Sequence, residues 1–444
     1  MTSFKAPRTV AVAGAMLVVL EGWLSAGSQS APPPPPPPPA QSVPPARPPA
    51  QSQPAQEIPA TQAPVFRSTV DVVAIDVQVV DRAGEPIKGL TPEDFEVSID
   101  GKPRQIVSVN LIEYSSTLPT VLPVRTPGQL MPDARVFIVA IDEYSFVPAA
   151  IGPAMQAARR FVQQLRPEDV VAIYAYPFHT GSLDLTHDHY AAERSLFKVN
   201  GRRERQLGMF SLSPSEIVDI TADDPAVTQR VINRECSATD PTCPGAVRSE
   251  AHSIAGYFEG QAAQSISSLS LLVKSLRRLP GRKTLVLMSG GVMTSDRTGG
   301  RPDVTGLFAA LGEDAAAAET NLYVMHWDTH FLETFSAVNA TSTSSGDRFT
   351  SAFRDSDTFR HGLDMVAGKS GGALLPIEAG TGQLAFDRIL RENMAYYLLG
   401  VASTPADRDG RLHFMSVKTK SRGATVRSRT HVVIPSIPGQ ASGR

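Results

Sequence analysis

The chain has 444 residues, of which 42% are hydrophobic and 19% charged, and its formal net charge is −2. That length allows two domains, and a balance so near neutrality gives no electrostatic reason to expect nucleic acid or an anionic membrane as partner. The densest basic patch, "GRRER" at 201–205, has no interleaved aromatics and reads as a solvated loop.

At the N-terminus, Lys5 and Arg8 precede the apolar run "TVAVAGAMLVVL", and Glu21 and the small residues of "LSAGSQSA" follow. A positive segment, a short apolar one and small residues near Ala26 or Ala31 form a secretory signal over 1–31. The run is short of the roughly 20 apolar residues that span a bilayer. No cysteine follows it for a lipid anchor, and no second hydrophobic span appears. The mature protein is therefore expected to be exported, periplasmic or extracellular. Eight consecutive prolines open a Pro/Ala/Gln/Ser segment over 32–64, a disordered polyproline II spacer.

Folded structure is expected from Val65. "TVDVVAIDVQVVD" alternates, with Val70, Val72, Ala74, Val77 and Val79 as its apolar set, and predicts a long strand. "DFEVSIDGKPRQIVSVNLIEY" predicts two more, joined at Asp100-Gly101, a hairpin signal. These strands, within 65–117, make half of a β-sandwich, too small to stand alone.

From 134 to 394 the rhythm becomes α/β. "RVFIVAID", "RPEDVVAIYAY", "GRKTLVLMSGG" and "AAAAETNLYVMHWD" carry buried-type strands. Between them lie helices, the first with Ile151, Met155, Ala158, Phe161, Val162 and Leu165 on one face. "GSLDLTHD" reads as an edge strand or turn, and "DMVAGKSGGALL" as a helix, a glycine stop and a strand. Such alternation predicts a doubly wound, mainly parallel sheet covered on both faces. Residues 190–260 fit neither pattern and are expected to be an irregular insertion. It carries Cys236 and Cys243 in "CSATDPTC", which an oxidising compartment would join as a disulfide. After "FDRILRENMA", strands return over 395–436, with "ADRDGR" as a hairpin turn. Neither β flank suffices by itself, so the two are expected to pair into one sandwich with the α/β segment inserted in it.

The segments "VDVVAIDVQVVDRAGEPIKGLTPEDFEVSIDGKPRQI", "RVFIVAIDEYS", "LPGRKTLVLMSGGV", "DMVAGKSGGALL" and "YYLLGV", in that order, resemble the von Willebrand factor type A domain. Within it, they are most similar to an extracytoplasmic bacterial group first catalogued in acidobacteria. The resemblance implies a doubly wound domain, protein ligands at the C-terminal edge of the sheet, and no nucleotide chemistry. It also implies a metal-ion-dependent adhesion site of the form D-x-S-x-S, with a distant threonine and a second aspartate. Mg2+ would be its cation, with Mn2+ or Ca2+ as substitutes, held by hard oxygen ligands that leave positions open. Asp142 matches the first aspartate, but Tyr144 and Phe146 replace the two serines, and Ser289-Gly290 stands where Ser-Asp is expected. Ser145, one residue off pattern, and Thr186 are the remaining hydroxyl candidates, while strand alternation aims Glu143 away and leaves Asp296 as a distant substitute. The site reads as a degenerate relic centred on Asp142, with Ser145 and Thr186.

Among nine histidines, His179, His187, His189, His326 and His330 lie near strand ends, and "HDH" (187–189) with Asp328 and Asp142 offers a transition-metal alternative. Ser289 in "MSGG" mimics part of a nucleophile elbow but lacks the glycine two residues before it. The expectation is a non-enzymatic exported module for protein interaction or adhesion. The alternatives are an extracytoplasmic hydrolase using strand-end Ser and His residues, and a purely structural envelope component.

Overall fold

The computed structural model describes residues 72–114, 134–204, 208–279, 281–329, 345–378 and 380–436. The signal and proline segments, Val70 and His330 lie outside the described residues. The first flank supplies β1 (Val72–Val80), β2 (Phe95–Ile99), β3 (Lys102–Arg104) and β4 (Ile106–Glu113). The α/β segment opens with β5 (Val136–Asp142), α1 (Gly152–Gln163), β6 (Val170–Tyr176), β7 (Leu183–Thr186) and α2 (His189–Leu196). It continues through α3 (Pro214–Thr221), α4 (Pro225–Glu235), α5 (Cys243–Leu276), β8 (Lys283–Ser289), α6 (Thr305–Ala317) and β9 (Thr320–Trp327). It closes with α7 (Ser345–Ser370), β10 (Ala373–Ile377) and α8 (Gly382–Glu392). The second flank holds β11 (Ala395–Ala402), β12 (Leu412–Thr419), β13 (Thr425–Arg427) and β14 (His431–Val433).

The central sheet has six strands in the order β10-β9-β8-β5-β6-β7, parallel except for the β6–β7 pair. All seven residues of β5 are buried, as the middle strand of a sheet covered on both faces requires. Its alternate residues serve opposite faces. Phe137, Val139 and Ile141 pack with the apolar stripe of α1 and with Phe386 and Ile389 of α8. Val136, Ile138 and Ala140 pack with Ile266, Leu269 and Val273 of α5 and with Phe308 of α6.

The flanks form two antiparallel four-stranded sheets, β13-β1-β11-β4 and β14-β12-β2-β3, each drawing strands from both sides of the α/β segment. Ile75, Val77, Phe95, Val97, Leu399, Val401, Met415 and Val417 share one apolar cluster between them. Three details differ from expectation. The inward face of β1 runs through Val73, Ile75, Val77 and Val79, while Val72 and Ala74 face out. The N-terminal strands divide between the sheets: the chain turns at Asp100-Gly101, both at positive φ, pairs β3 with β2, and crosses at Gln105 to pair β4 with β11. "ADRDGR" is likewise a crossing between sheets, since β11 and β12 belong to different ones.

A buried polar network joins the β flanks to the α/β segment. Gln78 of β1 donates to the Glu392 carbonyl and to Asn393 Oδ1. Tyr323 Oη and the Arg427 guanidinium both donate to the Glu392 carboxylate.

Most of the described residues of 190–260 lie in helices, where an irregular insertion was expected. Ser213 and Glu216 form a reciprocal cap on α3 with Pro214 at its first position, and Asp224 caps α4 ahead of Pro225. Cys236 and Cys243 are disulfide-bonded and join the end of α4 to the start of α5. Val227, Val231, Val247 and Ala251 give these helices a small core of their own. Among the described residues, no helix is long and apolar enough to cross a membrane.

Candidate functional site

The opening of β5 toward the loops is where a doubly wound sheet offers a crevice, and the structure puts Asp142 there, almost fully buried. Its Oδ1 accepts from the Tyr144 amide at 3.2 Å and from Ser265 Oγ at 3.1 Å. Its Oδ2 accepts from Ser289 Oγ at 3.3 Å. No cation-bearing side chain is among these donors. Burial pushes the carboxyl up to about 7, against the pull of the Ser265 and Ser289 hydroxyls and the Tyr144 and Ser145 amides.

Ser145 reaches the same place but supports backbone: its hydroxyl donates to the Asp142 carbonyl at 2.8 Å and accepts from the Gly290 amide at 2.8 Å. Gly290 is needed for that approach, because a Cβ there would lie 2.3 Å from the Ser145 carbonyl oxygen. Tyr144 turns its hydroxyl to Gln264, and Phe146 is fully buried against Trp327. The side chain at 146 thus belongs to the core.

Thr186 is not part of this site. It pairs with Val171, five positions before Tyr176, whose partner is Asp142. At about 3.3 Å per residue that separation is about 16 Å along the strand. Its hydroxyl accepts from the Asp188 amide in the turn before α2. "HDH" lies at that same far end, where His189 Nε2 is 2.9 Å from the Asp169 carbonyl. Among the described residues, no cluster of three His, Cys, Asp or Glu side chains could hold a metal. Glu143 faces away from Asp142, accepting from the Phe178 amide with Arg202 3.8 Å distant. Asp296 is half exposed, 3.7 Å from Arg354. His179 stacks its ring edge-on with Tyr174, and Asp328 accepts from Ser356.

Ser289 is committed on both sides, donating to Asp142 and accepting from the Gly291 amide at 3.1 Å. His326 sits beside it in register on β9, and burial lowers its pKa, partly opposed by Asp328.

Ser265 was not foreseen. It comes from α5, 123 positions from Asp142, and lies on the buried stripe of that helix with Ala262, Ile266 and Leu269. A lone hydroxyl on an apolar helical face is the available signal. Through α5 the insertion becomes a cap over the strand ends. Ile217, Val218, Ala255, Met293 and Phe359 pack together, and buried Asp219 accepts from both Arg354 and Arg297, the second at 2.7 Å. Beneath the cap, the cleft between Asp142, Ser145, Ser265, Gly291 and Phe359 keeps about 20 Å³, room for one water-sized guest.

No family model matches the chain, and no curated protein matches it. Among solved structures, the crystal structure of the SpRpn10 VWA domain is similar, at 11% identity and a TM-score of 0.24, over 59% of this chain and 96% of that one.

Proposed function

We propose that the chain is an exported protein-binding module of the von Willebrand factor type A kind, whose strand-end site works without a metal ion. The observation that carries this reading is the narrowness of the crevice above Asp142 among the described residues. Small-molecule sites are usually of the order of 300 Å³ or more, and the cleft here retains about 20 Å³ under α5. What remains at that end is a helical surface, and a surface recognises another macromolecule.

The donor set supports the metal-free part. A single carboxylate, pushed up to about 7, with two hydroxyls already spent on it, gives a hard dication too little charge. The hydrolase alternative is weakened by the same groups. Ser289 donates to Asp142, has no positive φ of the strained kind, and is fully buried. Export is supported by the signal-like N-terminus and agrees with the joined cysteine pair. The two flank sheets are read as one β-sandwich that carries the α/β segment, since their strands alternate in origin and their apolar faces share one cluster.

Calorimetry and thermal melts of the full chain with MgCl2, MnCl2 and CaCl2 test the cation. No saturable heat and no change in Tm are expected, and a saturable heat abolished by Asp142→Ala overturns the metal-free reading. Photo-cross-linkers at exposed His252 and Arg230 on the cap are expected to trap a discrete envelope protein. No adduct at either, together with ester hydrolysis lost in Ser289→Ala, would favour the enzyme.

A further inference from the structure

The outer face of the α1–α2 pair carries a second feature, separate from the strand ends. α2 turns Ala192 and Leu196 into the core it shares with α1. Its opposite face bears Tyr190 and Arg194, and Phe197, the residue that caps its C-terminus, continues the same stripe. Both rings face solvent, Tyr190 with 67% and Phe197 with 64% of its surface exposed. Each has a guanidinium over it. Arg194 lies 4.8 Å from the Tyr190 ring centre, and Arg159, reaching across from α1, lies 3.9 Å from that of Phe197.

The acids nearby are already engaged. Glu193 accepts from Gln163, and Asp188 caps α2 by accepting from the Ala191 amide. Among the described residues, neither Arg159 nor Arg194 has a carboxylate partner, and exposed Lys198 adds a third cation beside them. The face therefore presents two guanidiniums held over rings, with no carboxylate partner among the described residues, on two large rings exposed to water.

We propose that this α1–α2 face docks an acidic segment of a protein partner, with carboxylates received by Arg159 and Arg194 and the flanking chain packed on Tyr190 and Phe197. A guanidinium lying flat on a ring keeps its edge free for a two-pronged bond to a carboxylate, and its orientation is fixed before the partner arrives. Exposed aromatic and arginine side chains in one patch are the residue types that anchor protein interfaces. A stacked nucleobase fits less well, because each ring already carries a guanidinium over one face, and three cations are few for a phosphate backbone.

The test uses the full chain and a fluorescent oligoglutamate peptide, read by anisotropy at low and at physiological salt. Saturable binding that weakens with salt is expected. The double variant Arg159→Ala/Arg194→Ala should weaken it about tenfold, whereas Arg422→Ala, an exposed arginine in the turn between β12 and β13, should leave it unchanged. Arg159→Lys/Arg194→Lys should fall between, because charge survives while the fork and the stack are lost. If the double variant misfolds by circular dichroism, Phe197→Ser removes one stack without changing charge and should still weaken binding. Absence of binding by the unaltered chain, or equal binding by the arginine variants, overturns the proposal. So does an oligothymidylate that binds as tightly with the same arginine dependence. The face shares no residue with the strand-end site, so its failure leaves the metal-free reading of Asp142 standing, and the reverse also holds.

Discussion

Two carboxylates, one at each end of the central sheet, are buried to nearly the same degree and behave in opposite ways. Asp142 at the loop end meets only hydroxyls and amides, and burial raises its pKa to about 7. Glu392, where the sheet meets the β flanks, has burial pushing in the same direction, yet Arg427, with help from Arg388 and Tyr323, holds its carboxyl below the usual range. Burial alone does not decide the charge of a carboxylate; the charge of its donors does. One end of the sheet is therefore locked by ion pairs, and the other is closed by a network that tolerates a neutral acid.

The most direct way to break this contrast is at Glu392. Arg427→Ala leaves a buried carboxylate short of its main partner and is expected to cost about 3 kcal/mol, measured by urea unfolding. Replacing both partners, Arg427→Met with Glu392→Gln, should restore much of that loss. A double variant as unstable as the single would mean that packing, not charge, holds this junction.

Next comes the pH dependence of Asp142. Its folded pKa lies above the unfolded value of 3.8, so the native state holds the proton longer. Stability from this group is complete below about pH 4 and is lost as pH rises toward and through about 7, by ~4 kcal/mol in order of magnitude. Glu392 has the opposite sign: its contribution is present above the unfolded pKa and is lost as pH falls through the lowered folded one. Asp142→Asn should flatten the curve between pH 5 and 8 and be more stable than the parent at pH 8. Equal destabilisation at both pH values would show that the charged form is compensated after all.

The parallel sheet was legible because strands buried on both faces are written as apolar runs, as in β5, and because the apolar stripe of α1 is periodic. Residues 190–260 were opaque for a different reason. Helices as short as α3 and α4 are specified by their ends, Ser213-Pro214 with Glu216 and Asp224-Pro225, and offer little periodicity. The switch between sheets at Gln105 takes a single residue, which alternation cannot register. At the candidate site, Asp142 was found because a strand brings it there. Thr186 offers a hydroxyl in sequence, but strand register carries it to the opposite end of the sheet. Ser265 reaches the site through a contact 123 positions long, set by how α5 packs and not by any local pattern.

Two smaller effects sharpen the comparison at the neutral end. The cap helices are tied by the Cys236–Cys243 bond, which closes a loop with a sequence separation of 7. Cys236→Ser/Cys243→Ser should cost about 2 kcal/mol by chain entropy, and hydrogen exchange should rise in α4 and early α5 while α8 stays protected. A uniform rise across both ends would mean that cap and sheet unfold as one.

Ser265→Ala should have the smallest effect, and its pH dependence is the telling part. The hydroxyl stabilises the ionised form of Asp142, so its loss raises the Asp142 pKa further. At pH 8 the variant should be less stable by about 1 kcal/mol, the usual worth of a hydrogen bond. At pH 5, where Asp142 carries its proton, the loss should shrink toward the cost of removing a small buried oxygen. Urea unfolding at both pH values measures the difference. An equal loss at the two would mean that Ser265 merely packs under the cap and that the Asp142 carboxylate is held by the strand-end amides and Ser289 alone.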